Sequence, residues 1–189
     1  MNTDEELMIE FREHEDIRAF EILVERYKNP LMNFVFRFTG QHDLSKDIVQ
    51  ETFIRVFKNN ASYNAEYKFS TWIYTIAGNL AKSQLVRAKH KNNVSLSSYK
   101  EGDPDMDIVD TGLSPESIVD MEMKEALIQK ALLKVPELYR EAVILRDIQE
   151  LSYDEIAEML QTSVGTIKSR INRGRGMLQE LLQEIYKDT

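Results

Sequence analysis

At 189 residues the chain has room for one domain or two small ones, each with a modest core, and a large multidomain enzyme is excluded. Seven glycines and four prolines disfavour turn-rich all-β architectures, and the absence of cysteine excludes disulfide scaffolds, thiolate zinc sites and thiol nucleophiles. The net charge of −8 argues against indiscriminate coating of nucleic acid, yet two stretches carry bases and no acids: Lys82, Arg87, Lys89, Lys91 and Lys100 in residues 82–100, and Lys168, Arg170, Arg173 and Arg175 in residues 165–179.

The opening residues MNTDEELMIE lack the basic and apolar regions of a secretory signal, and no apolar run nears the ~18 residues of a membrane-spanning helix, so a soluble cytoplasmic protein is expected. Residues 4–91 read as an N-terminal block. Within it, the spacing from Lys46 to Lys58 predicts a helix with Ile48, Val49, Thr52, Phe53, Val56 and Phe57 on its core half. The opposite stripe, Asp47, Gln50, Glu51, Ile54 and Lys58, is acidic and bears an isoleucine in its middle. That stripe suits either a plain solvated face or a protein partner.

Residues 59–67 hold three asparagines and two tyrosines without apolar periodicity, which predicts a loop. Its amides could bond base edges and its rings could stack on unpaired bases, or the tyrosines could close over a core edge. From Phe69 to Lys89 a second long helix is predicted, with Phe69, Trp72, Ile73, Ile76, Ala77 and Leu80 on one side and Thr71, Thr75, Gly78, Lys82 and Lys89 on the other. The second side is polar and basic with a glycine notch, able to lie against a phosphate backbone or to face water. Residues 101–120 then collect seven acids, two glycines and two prolines, which reads as a linker, the alternative being a surface loop within one domain.

The C-terminal block, 117–186, carries a helix-turn-helix signal. A helix over Glu137 to Ile148 is followed by Ser152 and Glu155 at capping-box spacing. A short helix through Ile156, Ala157, Met159 and Leu160 meets the break Gln161-Thr162-Ser163, and Ser163 caps a longer helix. There Val164, Ile167, Ile171 and Leu178 face inward, while Gly165, Thr166, Ser169, Asn172, Arg173 and Gly176 face out. Arg and Asn are the residue types that read guanine and adenine edges in the major groove. An αα-hairpin with a basic outer face is the plainer alternative.

Phosphate-cradling glycine loops and a nucleophile elbow are absent, and His14-Glu15 is followed by Arg18 where a helical zinc site needs a second histidine. No enzyme, no cofactor and no metal site are therefore expected.

Four stretches in order, Asp47-Ile48-Val49-Gln50-Glu51-Thr52-Phe53, Phe69-Ser70-Thr71-Trp72, Ser152-Tyr153-Asp154-Glu155-Ile156-Ala157 and Val164-Gly165-Thr166-Ile167-Lys168-Ser169-Arg170, resemble the extracytoplasmic-function group of bacterial RNA polymerase sigma factors. The likeness spans residues 16–91 and 117–182. It implies an all-α, two-domain, non-enzymatic promoter-specificity subunit, with a region 2-like domain over 1–91, a flexible acidic linker over 92–116 and a region 4-like helix-turn-helix domain over 117–189. By that resemblance Asp47, Gln50, Glu51 and Ile54 dock on the clamp coiled coil of the polymerase largest subunit. Asn60, Ser62, Tyr63, Phe69, Trp72, Thr75, Asn79, Lys82 and Arg87 hold the opened minus-ten element. Thr166, Lys168, Ser169, Asn172 and Arg173 read the minus-thirty-five element, and an anti-sigma factor holds the protein inactive. Gly78 and Ser83 stand where many members carry Arg and Asp, and Gln161 where many helix-turn-helix units carry glycine, so a left-handed backbone there would be strained or the turn slightly different. A single tryptophan gives no cluster of aromatic wedges, which implies dependence on a good promoter. The competing reading is a symmetric helix-turn-helix regulator that binds an operator without polymerase.

Overall fold

Helices begin where the sequence supplies a side chain to the first free backbone N–H groups. Thr3 accepts from the Glu6 amide while the Glu6 carboxylate accepts from the Thr3 amide at 2.8 Å, and Asp16 accepts from the Arg18 amide at 2.9 Å. A computed structural model describes residues 2–92 and 115–187. Among these residues the regular structure is helical throughout: α1 (Asp4–His14), α2 (Ile17–Thr39), α3 (His42–Lys58), α4 (Phe69–Asn92), α5 (Pro115–Lys134), α6 (Glu137–Val143), α7 (Tyr153–Met159) and α8 (Val164–Lys187). Residues 93–114, the middle of the expected linker, lie outside the described residues, as do the side chains of Lys89 and Lys91.

In the N-terminal domain α1, α2 and α3 meet through a cluster of rings. Phe11 and Phe20 lie 4.9 Å apart, and Phe57 sits 5.2 Å from Phe11 and 5.4 Å from Phe20. The long α2 ends at Gly40, whose φ of +72° closes the helix in the left-handed conformation that glycine adopts without strain. Asp4 on α1 accepts from Arg26 and from the Tyr27 hydroxyl on α2, so the first helix is tied into the fold. Its start is fixed by the Thr3 to Glu6 capping box, a signal that sequence reasoning missed.

Two expectations for individual helices need correction. Phe57, assigned to the core half of α3, is 45% exposed, because only one side of its ring is covered by Phe11 and Phe20. The helix α4 is buried on both sides: Phe69, Ile73, Ala77 and Leu80 face the N-terminal core, and Tyr74, Ala81, Thr71 and Gly78 are buried as well. The expected open polar side of α4 lies instead under α6 and α7, which pack across it.

The C-terminal domain closes around Leu132, Val135, Ala142, Val143, Ile144, Leu145, Ile156, Ile167 and Ile171. The helix expected over Glu137 to Ile148 is present, but its last turn, Ile144–Ile148, is widened to π geometry. Both halves of the expected capping box are made: the Glu155 amide donates to Ser152 Oγ at 3.2 Å, and the Ser152 amide to the Glu155 carboxylate at 2.7 Å. Ser152→Ala is expected to lower stability by about 1 kcal/mol, read as a shifted urea midpoint with an unchanged slope. The turn into α8 places Gln161 at φ +48°, which decides for the left-handed backbone over an altered turn, and the Thr166 amide donates to Ser163 Oγ at 3.1 Å.

Side chains also join the two domains along a second seam. Arg37 pairs with Glu125 at 3.2 Å, and the Arg140 guanidinium lies 5.1 Å from the centroid of the Phe38 ring. The Tyr74 hydroxyl donates to Gln149 at 2.6 Å.

Candidate functional site

Three surfaces collect the residues singled out in the sequence. On α3, Asp47 and Gln50 are exposed and Glu51 is half-buried, accepting from Arg55 one turn on at 2.8 Å. Ile54 is 38% exposed. It lines a shallow apolar groove of about 400 Å³ together with Phe20, Gln50, Phe53, Phe57 and Lys58. The α2 isoleucines Ile17 and Ile22 are also exposed. Large exposed apolar side chains rimmed by acidic and amide groups mark a protein-docking surface better than a solvated one.

The second surface combines the loop after α3 with one side of α4. Asn60 and Ser62 lie on a short 3₁₀ turn, Asn60–Ser62. Tyr63 is buried, its hydroxyl donating to the Tyr67 carbonyl at 2.7 Å, and Arg12 donates to the Tyr63 carbonyl at 3.0 Å. Burial, with Glu5 and Asp4 nearby, pushes the Tyr63 phenol up to about 12, so it remains a proton donor. The alternative reading of the loop tyrosines is met by Tyr63, which closes over a core edge, whereas Tyr67 stays half exposed. Phe69 is fully buried against Tyr27, and Trp72 lies 5.1 Å from Tyr63, half-buried. A cleft of about 260 Å³ opens between Ser62, Tyr63, Tyr67, Trp72 and Thr75. Farther along α4, Asn79 and Arg87 are exposed, and Lys82 is engaged by Glu141 of α6. Phe69 thus forms a wall behind this surface and presents nothing to a ligand. Thr75 spends its hydroxyl on the Thr71 carbonyl at 2.7 Å.

The third surface is α8. Lys168, Ser169, Asn172 and Arg173 are exposed and Thr166 is half-buried near the N-terminus of the helix. The Lys168 ammonium lies 5.7 Å from the Tyr153 ring centroid, and Arg146 covers the same ring at 4.9 Å. Arg175, part of the same basic stretch, is committed elsewhere: its Nε donates to Asp147 at 2.9 Å. The inward side holds Ile167 and Ile171 as expected and also Gly174, which shares their helical face but, lacking a side chain, adds nothing to the apolar pattern.

Sequence reasoning missed Lys68, Glu141 and Glu155 as a set. Lys68 meets Glu155 at 2.8 Å, and the Lys82 ammonium lies 3.1 Å from Glu141 Oε1 and donates to Oε2 at 3.4 Å. Burial raises the Glu155 carboxyl, but Lys68 and Ser152 outweigh it and hold the group at about 2. Only the capping role of Glu155 was readable, since its partner lies far away in sequence. Among the described residues no cluster of His, Asp or Glu could hold a metal, and no helix is long and apolar enough to cross a membrane.

The comparisons with known proteins follow this geometry. Residues 23–91 match the family model for sigma-70 region 2, and residues 125–178 that for sigma-70 region 4. The chain is similar to the ECF RNA polymerase sigma factor SigW of Bacillus subtilis, 37% identical over 90% of this chain and 92% of that one. It is also similar to the RNA polymerase sigma-H factor of Pseudomonas aeruginosa, 31% identical over 96% and 95% of the two chains. Among solved structures, the sigma factor RpoE in complex with the anti-sigma factor NepR from Bartonella quintana matches with a TM-score of 0.71 and 26% identity, over 88% of this chain and 98% of that one.

Proposed function

Because the chain belongs to the extracytoplasmic-function sigma factors of the sigma-70 family, we propose that its three surfaces divide the work of promoter recognition. The protein is a promoter-specificity subunit: it joins core RNA polymerase, selects a promoter and directs initiation, under control of an anti-sigma factor. It carries out no chemistry of its own and works in the cytoplasm, where the polymerase is. The region 2-like domain spans 1–91, residues 92–116 link it, and the region 4-like domain spans 117–189.

In this reading Asp47, Gln50, Glu51 and Ile54 dock on the largest-subunit clamp coiled coil. The observation that carries it is Ile54, exposed at the edge of an apolar groove and ringed by polar side chains. Asn60, Ser62, Trp72, Thr75, Asn79, Lys82 and Arg87 hold the opened minus-ten strand, with the buried Tyr63 and Phe69 setting the cleft from behind. Taking a base out of its stack costs a few kcal/mol, which ring contacts and edge hydrogen bonds in that cleft would offset. Thr166, Lys168, Ser169, Asn172 and Arg173 enter the major groove at the minus-thirty-five element, where the fork of Arg173 suits the two acceptors of guanine.

Run-off transcription with core polymerase on a promoter library tests the whole reading. Template-dependent transcripts are expected only when both proteins are present. Tight binding of the purified chain alone to palindromic duplex, without polymerase, would favour the operator-binding regulator instead. Arg173→Ala is expected to lose about 1–3 kcal/mol at a single duplex position, measured as an affinity difference that disappears when that base pair is changed.

A further inference from the structure

We infer that α1 is a clamp on the strand-binding loop: Arg12 and Glu5 hold the loop backbone at Tyr63 and at Phe69, so the cleft between loop and α4 has its shape before a base of the opened strand arrives. The inference rests on the reading of that cleft as the place where the minus-ten strand is held, and it adds two positioning residues. The Arg12 guanidinium donates to the Tyr63 carbonyl at 3.0 Å, and the Phe69 amide donates to Glu5 Oε1 at 2.9 Å. Tyr63 and Phe69 are the two residues whose buried rings, 5.9 Å apart, set the cleft from behind. Neither Arg12 nor Glu5 lines the cleft, and α1 lies ahead of residues 23–91, the part that matches sigma-70 region 2.

The helical period puts the two charges in place. Seven residues make almost two turns, so Glu5 and Arg12 share a stripe of α1 about 10 Å long, with the fully buried Met8 between them. Leu7, Met8 and Phe11 fasten α1 to the domain by apolar packing, and the polar ends of the stripe act on the loop. Arg12 meets Glu13 with one nitrogen and the Tyr63 carbonyl with the other. The Glu5 carboxylate takes an N–H that α4 cannot satisfy within itself, and it sits at the positive end of that helix. Inside the loop the Tyr63 hydroxyl donates to the Tyr67 carbonyl at 2.7 Å, so three backbone atoms between residues 63 and 69 are held. A loop tied in this way loses little further freedom when a base enters, and the contacts made to that base are not consumed in ordering it.

The single tryptophan of the chain reports on the clamp directly. Trp72 lines the cleft 5.1 Å from the Tyr63 ring, so quenching of its fluorescence by acrylamide measures how tightly the loop is held. Arg12→Met keeps an aliphatic stem and removes the donor, Glu5→Ala removes the acceptor, and Glu5→Gln keeps an acceptor oxygen. The same proteins are joined to core polymerase and followed on the template of the run-off library that yields most transcript. The holoenzyme concentration at half-saturation measures recruitment, and permanganate reactivity of unpaired thymines at saturating holoenzyme measures the rate of opening.

Arg12→Met and Glu5→Ala are each expected to raise the quenching constant of Trp72 about twofold in the free chain. Each should slow opening about tenfold, the scale of one lost charge-assisted hydrogen bond, while half-saturation stays within about twofold of the parent. Glu5→Gln should match the parent in every reading. Opening lost in step with recruitment would mark a general structural effect and overturn the inference. Parent-like opening in Arg12→Met and Glu5→Ala would overturn it as well, as would slow opening with Trp72 unchanged. Failure of the parent holoenzyme to open any template of the library would overturn the reading of the cleft itself, and Trp72 would still show whether Arg12 and Glu5 hold the loop.

Discussion

Core RNA polymerase is expected to bind Ile54→Asp about 100-fold more weakly than the parent chain, and Glu51→Lys about tenfold more weakly, in a titration followed by fluorescence anisotropy. The physical contrast between the two positions sets the ranking. Ile54 borders the apolar groove with Phe20, Phe53 and Phe57, and a partner seated there would remove it from water. A carboxylate at that place would be buried unpaired, and a well-packed anchor near the centre of an interface commonly carries 2 kcal/mol or more. A hundredfold loss is about 2.7 kcal/mol. Glu51 lies toward the rim and already shares its charge with Arg55, so reversing it removes a complementary charge without stranding one in a core. Both side chains are partly solvated in the free protein, so folding should be spared and binding of the α8 face to duplex DNA should be unchanged. Parent-like affinity for polymerase in both variants would overturn the assignment of this face.

The second large effect concerns stability, and it reverses sign within two residues of α8. At Gly174 a Cβ would lie 2.6 Å from Val143 Cγ2 and 3.1 Å from the Tyr139 carbonyl oxygen, and that oxygen belongs to the backbone of α6. The two helices would have to separate. Overpacking of this kind costs about 1–3 kcal/mol, against only about 0.5 kcal/mol gained by replacing a helical glycine with valine, so Gly174→Val is expected to destabilise the C-terminal domain by about 1–2 kcal/mol. At Gly176 nothing lies within 4 Å of the added atom, and Gly176→Ala is expected to stabilise by up to about 1 kcal/mol. Urea titration of the two variants beside the parent gives midpoints on opposite sides of it. Midpoints moving the same way would show that the α6 to α8 contact is not as tight as described.

These pairs show what a sequence can and cannot disclose. Local chemistry was legible: the Ser152 and Glu155 cap, the Ser163 cap and the inward set Ile167 and Ile171 all follow from neighbours within a few residues, while at Gln161 the sequence left a left-handed turn and an altered one both open. The polar stripe on α4 was legible as a stripe, but its covering was not, because Lys82 meets Glu141 and Lys68 meets Glu155 only after the chain has folded across long separations. Gly174 shares the helical face of Ile167 and Ile171, but with no side chain it adds nothing to the apolar pattern, so its close approach to α6 could not be read from that pattern. Phe57 shows the converse: periodicity placed it with the core, and only the position of α1 and α2 decides that half of the ring stays wet. Among the site residues, the exposed group on α8 and the docking stripe on α3 are where the helical period puts them. Tyr63 and Phe69 are inside: the loop carries no period from which to read Tyr63, whereas Phe69 lies on the apolar side of α4 where the helical period puts it, so the period opposed its place among the strand contacts.

The groove beside Ile54 lies between the first turns of α2 and the last turns of α3, and no residue of the C-terminal domain lines it. Among the described residues none covers the open side of its phenylalanines, and the isoleucines on the neighbouring helix extend the greasy ground. A subunit built this way is poorly suited to solitude: at high concentration its own copies become the nearest available cover, and colloidal behaviour, more than thermal resistance, sets how much of it a solution or a cell can hold unaccompanied.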